Sequence, residues 1–383
     1  MFDLISVDDH IIEPPGVWVD RLPAMYRDVG PRVVEQDGRE WWYYEDKRVD
    51  TMGLNAVAGR PQEQWDMDPV RYTDMIRGCY DPVVRAEDMR LDGVVGTICF
   101  PTMPKFAGTL FLEFKDKELA DLSVKAYNDW MFDEWCAAAP DLYIPMTMVQ
   151  LWDPQLAAAE IRRCAARGAR CITFPETPDP LGLPSFFTDH WDPVWQAIEE
   201  TGLVVNMHIG TSGRLMSPAA DAPFHVMIML AQATAAIGMV GLLESQVLRK
   251  FPTVQMVFSE GGLGWIPAQL ERCDRMWERH RMWSHLDDLK PSELFKRNMY
   301  GAFVDDSVGL ELRHRVGVDR ILWESDFPHV ETPWPQSQDT MKRLTAEMPD
   351  DEVDLITNGN ARRLYNWPGK TPAAPDKVGS TVS

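Results

Sequence analysis

The chain has 383 residues, with 38 lysines and arginines against 59 aspartates and glutamates, so its net charge is −21. This excess of negative charge disfavours binding to nucleic acids and to anionic membranes. The six cysteines form no CxxC pair, which argues against a zinc ribbon or a disulfide scaffold and favours reduced thiols.

The sequence opens without a basic and apolar leader, which predicts a cytoplasmic location. A membrane span needs roughly 20 apolar residues, and polar residues interrupt even the apolar run 226–243. We therefore expect no membrane span.

The N-terminal part combines one strand with an irregular excursion. A β-branched run at 2–7 reads as a strand that stops at Pro14 and Pro15. Residues 16–81 then break the regular pattern with four consecutive aromatic residues at 41–44, several glycines and prolines, and many charges. We interpret 16–81 as an inserted hairpin and loop region that covers the mouth of the main domain.

From residue 82 onward, helical patterns alternate with short apolar strands, which is typical of a parallel βα arrangement. The predicted strands are 93–100, 143–149, 170–174, 203–208, 253–258, 299–303 and 320–323, and the predicted helices are 83–91, 116–138, 154–167, 191–201, 224–249, 264–282 and 306–316. With the N-terminal strand, eight strands predict an α/β protein with a (β/α)8 TIM-like barrel. We expect residues 1–367 to form this single domain and the Pro- and Ser-rich residues 368–383 to be a disordered tail.

Aspartate and histidine residues, which are common metal ligands, follow three of these strands. Asp8 and His10 end the first strand and share a face because they lie two residues apart, while His208 and Asp326 end two later strands. Each has a plain structural alternative: a turn or cap carboxylate for the aspartates, a half-buried imidazole for His208. Because active sites of such barrels lie at the C-terminal strand ends, their joint occurrence predicts one metal site.

These motifs resemble the amidohydrolase-related branch of the amidohydrolase superfamily, which includes aminocarboxymuconate-semialdehyde decarboxylase-like proteins. The resemblance runs from 7–14 (VDDHIIEP) to 360–365 (NARRLY), with His208 and 323–329 (WESDFPH) between them. It implies one divalent ion, zinc or manganese, held by Asp8, His10, His208 and Asp326. Asp8 stands where the family often has the first histidine of a His-x-His pair, so the site is expected to be rich in oxygen ligands.

The resemblance also points to further site residues. Glu260 occupies a position where many relatives carry a histidine implicated in proton transfer, so it is either a general base or a carboxylate that orients His208. His329 either contacts the substrate or is a turn imidazole bonded to Glu331. Glu13 is expected to support a metal ligand from behind, with direct ligation or a strand-end structural role as alternatives.

Two reactions and one non-catalytic role are compatible with these residues. The carboxylate-rich site favours hydrolysis of an amide, a lactone or ester, or an activated C–C bond of a small organic or aromatic substrate, with Glu260 or Asp326 accepting the proton of a metal-activated water. The alternative is non-oxidative decarboxylation of an aromatic or muconate-type acid, for which the candidate carboxylate anchors are Arg60, Arg71, Arg77 and Arg214. A barrel that only binds its ligand is the third possibility.

Loops 102–115, 176–189 and 209–224 are expected to line the mouth of the barrel. Bulky side chains near them indicate an apolar or aromatic small-molecule substrate, or ordinary packing: Met216, Phe224, Met227 and Trp265. The apolar helices at 224–249 either form the face of a homodimer, which we expect, or flank the barrel.

Overall fold

The structure is a computed structural model that describes residues 1–213, 216–284 and 287–368. Its strands are β1 (Leu4–Ile11), β2 (Arg32–Gln36), β3 (Arg39–Tyr44), β4 (Lys47–Val49), β5 (Val94–Pro101), β6 (Met146–Thr147), β7 (Cys171–Thr173), β8 (Val204–His208), β9 (Met256–Ser259), β10 (Met299–Phe303) and β11 (Ile321–Trp323). In the described part of the chain, β1 and β5–β11 are the eight parallel strands of a TIM barrel.

Backbone hydrogen bonds join these eight strands around the barrel. Strands β6 to β11 form one continuous parallel sheet, β1 pairs with β5, and a bridge between Thr97 and Tyr143 connects the two sheets. On the other side, the N–H of Asp326 donates to the carbonyl of Asp8 at 2.8 Å, and the N–H of His10 donates to the carbonyl of Phe327 at 2.6 Å. The barrel therefore closes at the residues that the sequence marks as metal ligands.

The helices follow the strands much as predicted. They span Gly16–Val19, Pro82–Leu91, Lys117–Trp130, Cys136–Ala138, Pro154–Ala166, Asp192–Thr201, Phe224–Leu230, Gln232–Glu244, Val247–Lys250, Ile266–Ser284, Pro291–Asn298, Ser307–Glu311, Arg313–Val316, Ser337–Leu344, Asp350–Asp354 and Asn360–Leu364. Asp153 caps its helix by accepting hydrogen bonds from the N–H groups of Gln155 and Leu156, as its position before Pro154 predicts.

Three differences from the predicted elements have local causes. The strand expected at 143–149 is reduced to Met146–Thr147, because Pro145 has no N–H to donate to a ladder. The helix Pro291–Asn298 and the helices after residue 337 were not predicted. They are short, so only a few apolar positions mark their periodicity.

Residues 16–81 contain a three-stranded antiparallel sheet, β2–β3–β4, and short helical turns. Its aromatic side chains are largely packed: Trp42 contacts Trp18 edge to face, and Tyr44 stacks on Phe114 at 4.1 Å between ring centroids. This packing fixes strand β4 and the segment after it against the barrel.

One helical stretch bears on the expectation about membrane spans. Phe224–Glu244 has a mean hydropathy of 2.0 and is long and apolar enough to cross a membrane by length and composition, with 39% of that window buried. Core helices of soluble proteins meet the same criterion, so a single such helix is weak evidence for a span. Arg214 and the tail from residue 369, for which we made predictions, lie outside the described residues.

Candidate metal centre

The four predicted ligands meet at the C-terminal ends of the barrel strands. The Nε2 atom of His10 lies 3.3 Å from Asp8 Oδ1, 3.3 Å from Asp326 Oδ1 and 3.1 Å from His208 Nε2. His208 Nε2 lies 3.3 Å from Asp8 Oδ2. All four side chains are buried, so the structure brings together the residues that sequence spacing singled out.

Backbone and packing contacts fix the orientation of these groups. His208 Nδ1 lies 2.7 Å from the carbonyl oxygen of Ile209, so it acts as the donor and leaves the Nε2 lone pair for the centre. The ring of Phe106 packs against the rings of His10 and His208, each at 4.5 Å between centroids. Asp326 has a φ of 54°, a left-handed conformation unfavourable for residues with a Cβ, which the closure of the barrel maintains.

The donor set fits a divalent ion. Both carboxylate oxygens of Asp8 and of Asp326 are buried and accept no hydrogen bond. Burial and neighbouring carboxylates raise the pKa of both groups well above its usual range, whereas burial and the adjacent histidines lower the pKa of His10. Buried carboxylates without donors are costly unless a cation balances them. Imidazole with carboxylate is a common ligand set for zinc and manganese, and the site is suited to a single metal ion.

Glu260 lies at the same centre. Its Oε2 atom is 3.1 Å from His208 Nε2, and His208, Glu260 and Asp326 form a second group that could share one ion. Glu260 also has a left-handed backbone, with φ of 56°, and its N–H donates to the buried carboxylate of Glu324 at 2.9 Å. Glu324, whose role the sequence did not indicate, therefore helps to turn Glu260 toward the metal ligands.

His329 stacks on a predicted ligand. Its ring lies parallel to that of His10 at 3.6 Å between centroids, and its Nδ1 is 3.1 Å from Asp326 Oδ1. Its buried Nε2 has no hydrogen-bond partner, and the residue lines the cavity described below. Burial lowers the pKa of His329 well below its usual range, so the ring is neutral and can exchange a hydrogen bond with a bound molecule.

The hydrogen bonds of Glu13 favour the strand-end structural role among its three alternatives. Its two carboxylate oxygens accept the N–H groups of Thr102 and Met103, both at 2.9 Å, rather than supporting a ligand. Burial raises the pKa of Glu13 to about 7. Glu13 thus anchors the loop after β5, which carries Phe106 onto the two ligand imidazoles, and its role is the strand-end structural one.

Two buried charges behind the centre were missed. Asp9 accepts hydrogen bonds from the Ser6 hydroxyl at 3.1 Å, the Phe327 N–H at 3.0 Å and the Thr97 hydroxyl. Arg85 donates to the carbonyl of His10 at 2.7 Å, and its guanidinium lies 4.1 Å from the ring centroid of Phe327. Strand alternation places Asp9 on the face opposite Asp8 and His10, but neither the hydroxyl partners nor Arg85 leave a sequence signal.

A cavity of about 620 Å³ opens onto the centre. Loops 102–115 and 209–224 contribute to its wall as expected, whereas 176–189, Met216, Met227 and Trp265 do not. The segment from Tyr44 to Asn55 contributes instead. The lysines and arginines that line the described cavity are Lys47, Arg48 and Lys105. The candidate anchors Arg60, Arg71 and Arg77 do not line it, and Arg214 lies outside the described residues.

Comparisons with known proteins identify relatives of this chain. A family model described as amidohydrolase matches residues 59–367. The chain is 26% identical over 237 residues to a gamma-resorcylate decarboxylase from Rhodococcus jostii (strain RHA1), and the match covers 56% of this chain and 68% of that relative.

Two solved structures have a similar fold. One is an amidohydrolase from Mycobacterium avium subsp. paratuberculosis K-10, with a TM-score of 0.75, 22% identity, and 95% of this chain and 99% of that chain covered. The other is a 5-carboxyvanillate decarboxylase from Novosphingobium aromaticivorans DSM 12444, complexed with manganese and 4-hydroxy-3-methoxy-5-nitrobenzoic acid, with a TM-score of 0.66, 17% identity, and 95% and 96% covered. Because the family model spans most of the chain, the protein belongs to the amidohydrolase family.

Proposed function

We propose that the protein is a metal-dependent decarboxylase of an aromatic acid. The observation that carries this proposal is the convergence of Asp8, His10, His208 and Asp326 at the end of a cavity large enough for a small organic molecule. The carboxylate-rich site alone favours hydrolysis. The decarboxylases among the similar proteins favour the lyase reaction instead.

Asp8, His10, His208 and Asp326 would hold the ion, and manganese and zinc both suit this donor set. When bound, the ion supplies positive charge that attracts and polarises an anionic oxygen of the substrate. Phe106 excludes water from one side of the two imidazoles. His329 offers its unpartnered Nε2 to a substrate hydroxyl in the cavity.

In the proposed reaction, the bond between the ring carbon and the carboxylate breaks, carbon dioxide leaves, and the electron pair stays on the ring carbon. That carbon then takes a proton. Glu260 and Glu331 both line the cavity, and burial together with the charge of Glu260 raises the pKa of Glu331 to about 7. A carboxyl with this pKa is partly protonated near neutral pH, which makes Glu331 our candidate proton donor.

The test uses protein refilled with Mn²⁺ and a panel of hydroxybenzoates, with carbon dioxide release as the readout. A parallel panel of esters, lactones and amides is scored for acid release. We expect carbon dioxide from at least one aromatic acid and loss of this activity in Asp326→Asn, while Asp305→Asn, a surface aspartate paired with Arg343, retains it. Acid release from the second panel without carbon dioxide from the first would replace the proposal with hydrolysis.

Several features of the whole chain belong to the same proposal. We propose that residues 1–367 form one catalytic domain acting on a small molecule, in which 16–81 is an insertion over the barrel mouth. We further propose a cytoplasmic homodimer. The exposed apolar side chains of the helices at 224–244, Met229 and Ile237 among them, support a subunit contact on that side.

A further inference from the structure

The cavity has two chemically different ends. Its inner end is formed by the titratable residues of the metal centre. Its outer walls are apolar and come from two segments outside the barrel strands: Met52 and Leu54 after β4, and Phe224, Ile228 and Met229 on the helix Phe224–Leu230. A ligand held at the centre therefore extends toward an apolar outer chamber.

The volume exceeds what a single-ring acid fills. A hydroxybenzoate has about ten non-hydrogen atoms. Because covalently bonded atoms lie closer together than water molecules, which take up roughly 30 Å³ each, the whole molecule fills less than about 300 Å³. The cavity measures about 620 Å³, so about half of it or more remains for another portion of the substrate.

The cations at the rim of the cavity lie next to carboxylates, so they contribute little to binding a second anionic group on the substrate. Lys105 Nζ lies 3.1 Å from Glu113 Oε1, and Arg48 Nη2 lies 3.1 Å from Asp50 Oδ1. Lys47 Nζ approaches the other oxygen of Glu113 at 3.9 Å. Lys47 and Lys105 share Glu113, so two carboxylates balance the three cations of the described rim, and the outer part of the substrate finds apolar walls bordered by largely neutralised charges.

We propose that the substrate is an aromatic acid that carries a second ring or an apolar group of similar size. The acid end lies at the metal centre, and the apolar group lies between Met52 and Leu54 on one side and Ile228 and Met229 on the other. This inference rests on the proposed decarboxylation for the acid end. The apolar chamber itself is independent of the reaction.

The test is calorimetric binding of 2-hydroxybenzoate and of 1-hydroxy-2-naphthoate to protein refilled with Mn²⁺. Burying a second ring removes further apolar surface from water, so we expect the naphthoate to bind at least tenfold more tightly. Ile228→Trp fills the outer chamber and should abolish this difference while 2-hydroxybenzoate binds as before. Val83→Trp, on the exposed face of the helix Pro82–Leu91 and outside the cavity wall, is the matched control and should change neither affinity.

Each outcome decides one of the two proposals. Equal affinities in the unmodified protein, or an equal loss of both ligands in Ile228→Trp, would overturn the two-part substrate. If Ile228→Trp does not fold, Met229→Trp replaces it, since Met229 lines the cavity and is 74% exposed. Tight naphthoate binding without carbon dioxide release from any aromatic acid would leave the chamber in place and refute decarboxylation.

Discussion

Replacing Glu13 by glutamine tests how this strand end contributes to the free energy of unfolding. The question is whether burial of the Glu13 carboxyl, rather than charge at the metal centre, dominates that contribution. The pKa of Glu13 is raised from 4.5 to about 7 in the folded protein. The folded state therefore holds a proton that the unfolded state releases between these values, and the stability contributed by the neutral carboxyl is present below pH 4.5 and lost as pH rises to 7. At about 1.36 kcal/mol per unit, the loss is about 3 kcal/mol.

Glu13→Gln removes this titration. The glutamine amide places a donor where Glu13 has an acceptor, so its NH2 group faces the N–H of Thr102 or Met103. This lowers the free energy of unfolding by about 1–3 kcal/mol, and the loss does not vary with pH. Urea unfolding of both proteins at pH 4.5 and pH 8 gives the relevant quantity, the difference in unfolding free energy between variant and parent. We expect this difference to shift by about 3 kcal/mol in favour of glutamine at pH 8. A difference that stays constant with pH would refute the reasoning.

Three further predictions concern the metal centre and the residues behind it. Asp326→Asn should abolish stoichiometric Mn²⁺ by elemental analysis, because it removes a charged donor. Glu260→Gln should weaken Mn²⁺ binding in calorimetry by tenfold or more. Glu331→Gln, which removes the same charge elsewhere in the cavity, should weaken it less. Equal effects would mean that the negative charge, rather than contact between Glu260 and the ion, determines the affinity. Asp9→Ala should lower the free energy of unfolding in urea by about 3 kcal/mol, because the Phe327 N–H and two hydroxyls lose their acceptor. Asp9→Asn should lower it by about 1 kcal/mol. Equal losses would contradict this role for Asp9.

The barrel and its four donors were predictable because they depend on local pattern and one topological rule. Alternating helices and apolar strands predict the order of elements, and parallel strands that close a barrel bring their C-terminal ends to one rim. Asp8 and His208 each follow an apolar run directly, and Asp326 lies three residues after the run that ends at Trp323. Their proximity then follows from the fold without any knowledge of side-chain packing.

The supporting contacts were not predictable, because their partners lie far apart in the chain. Glu13 bonds to a loop 89 residues away, and Asp9 bonds to Phe327, 318 residues away. The wall contributed by the segment from Tyr44 to Asn55 depends on how an irregular region packs across the barrel mouth. Neither periodicity nor motif spacing encodes such a contact. The sequence therefore did not indicate which cations and which apolar side chains line the outer part of the cavity.

The distribution of charge around the centre also bears on what the site can bind. Glu260, Glu324 and Asp326 each raise the pKa of Asp8, and Glu260 also raises the pKa values of Glu324 and Asp326. Arg85 reaches only the back of the centre, through the carbonyl of His10. Among the described residues, the inner end of this cavity is lined by the carboxylates of Glu260, Asp326 and Glu331 and by no arginine. The proposed chemistry is therefore consistent only if a bound cation reverses the local field, which makes metal occupancy a condition for recognising the acid as well as for its reaction.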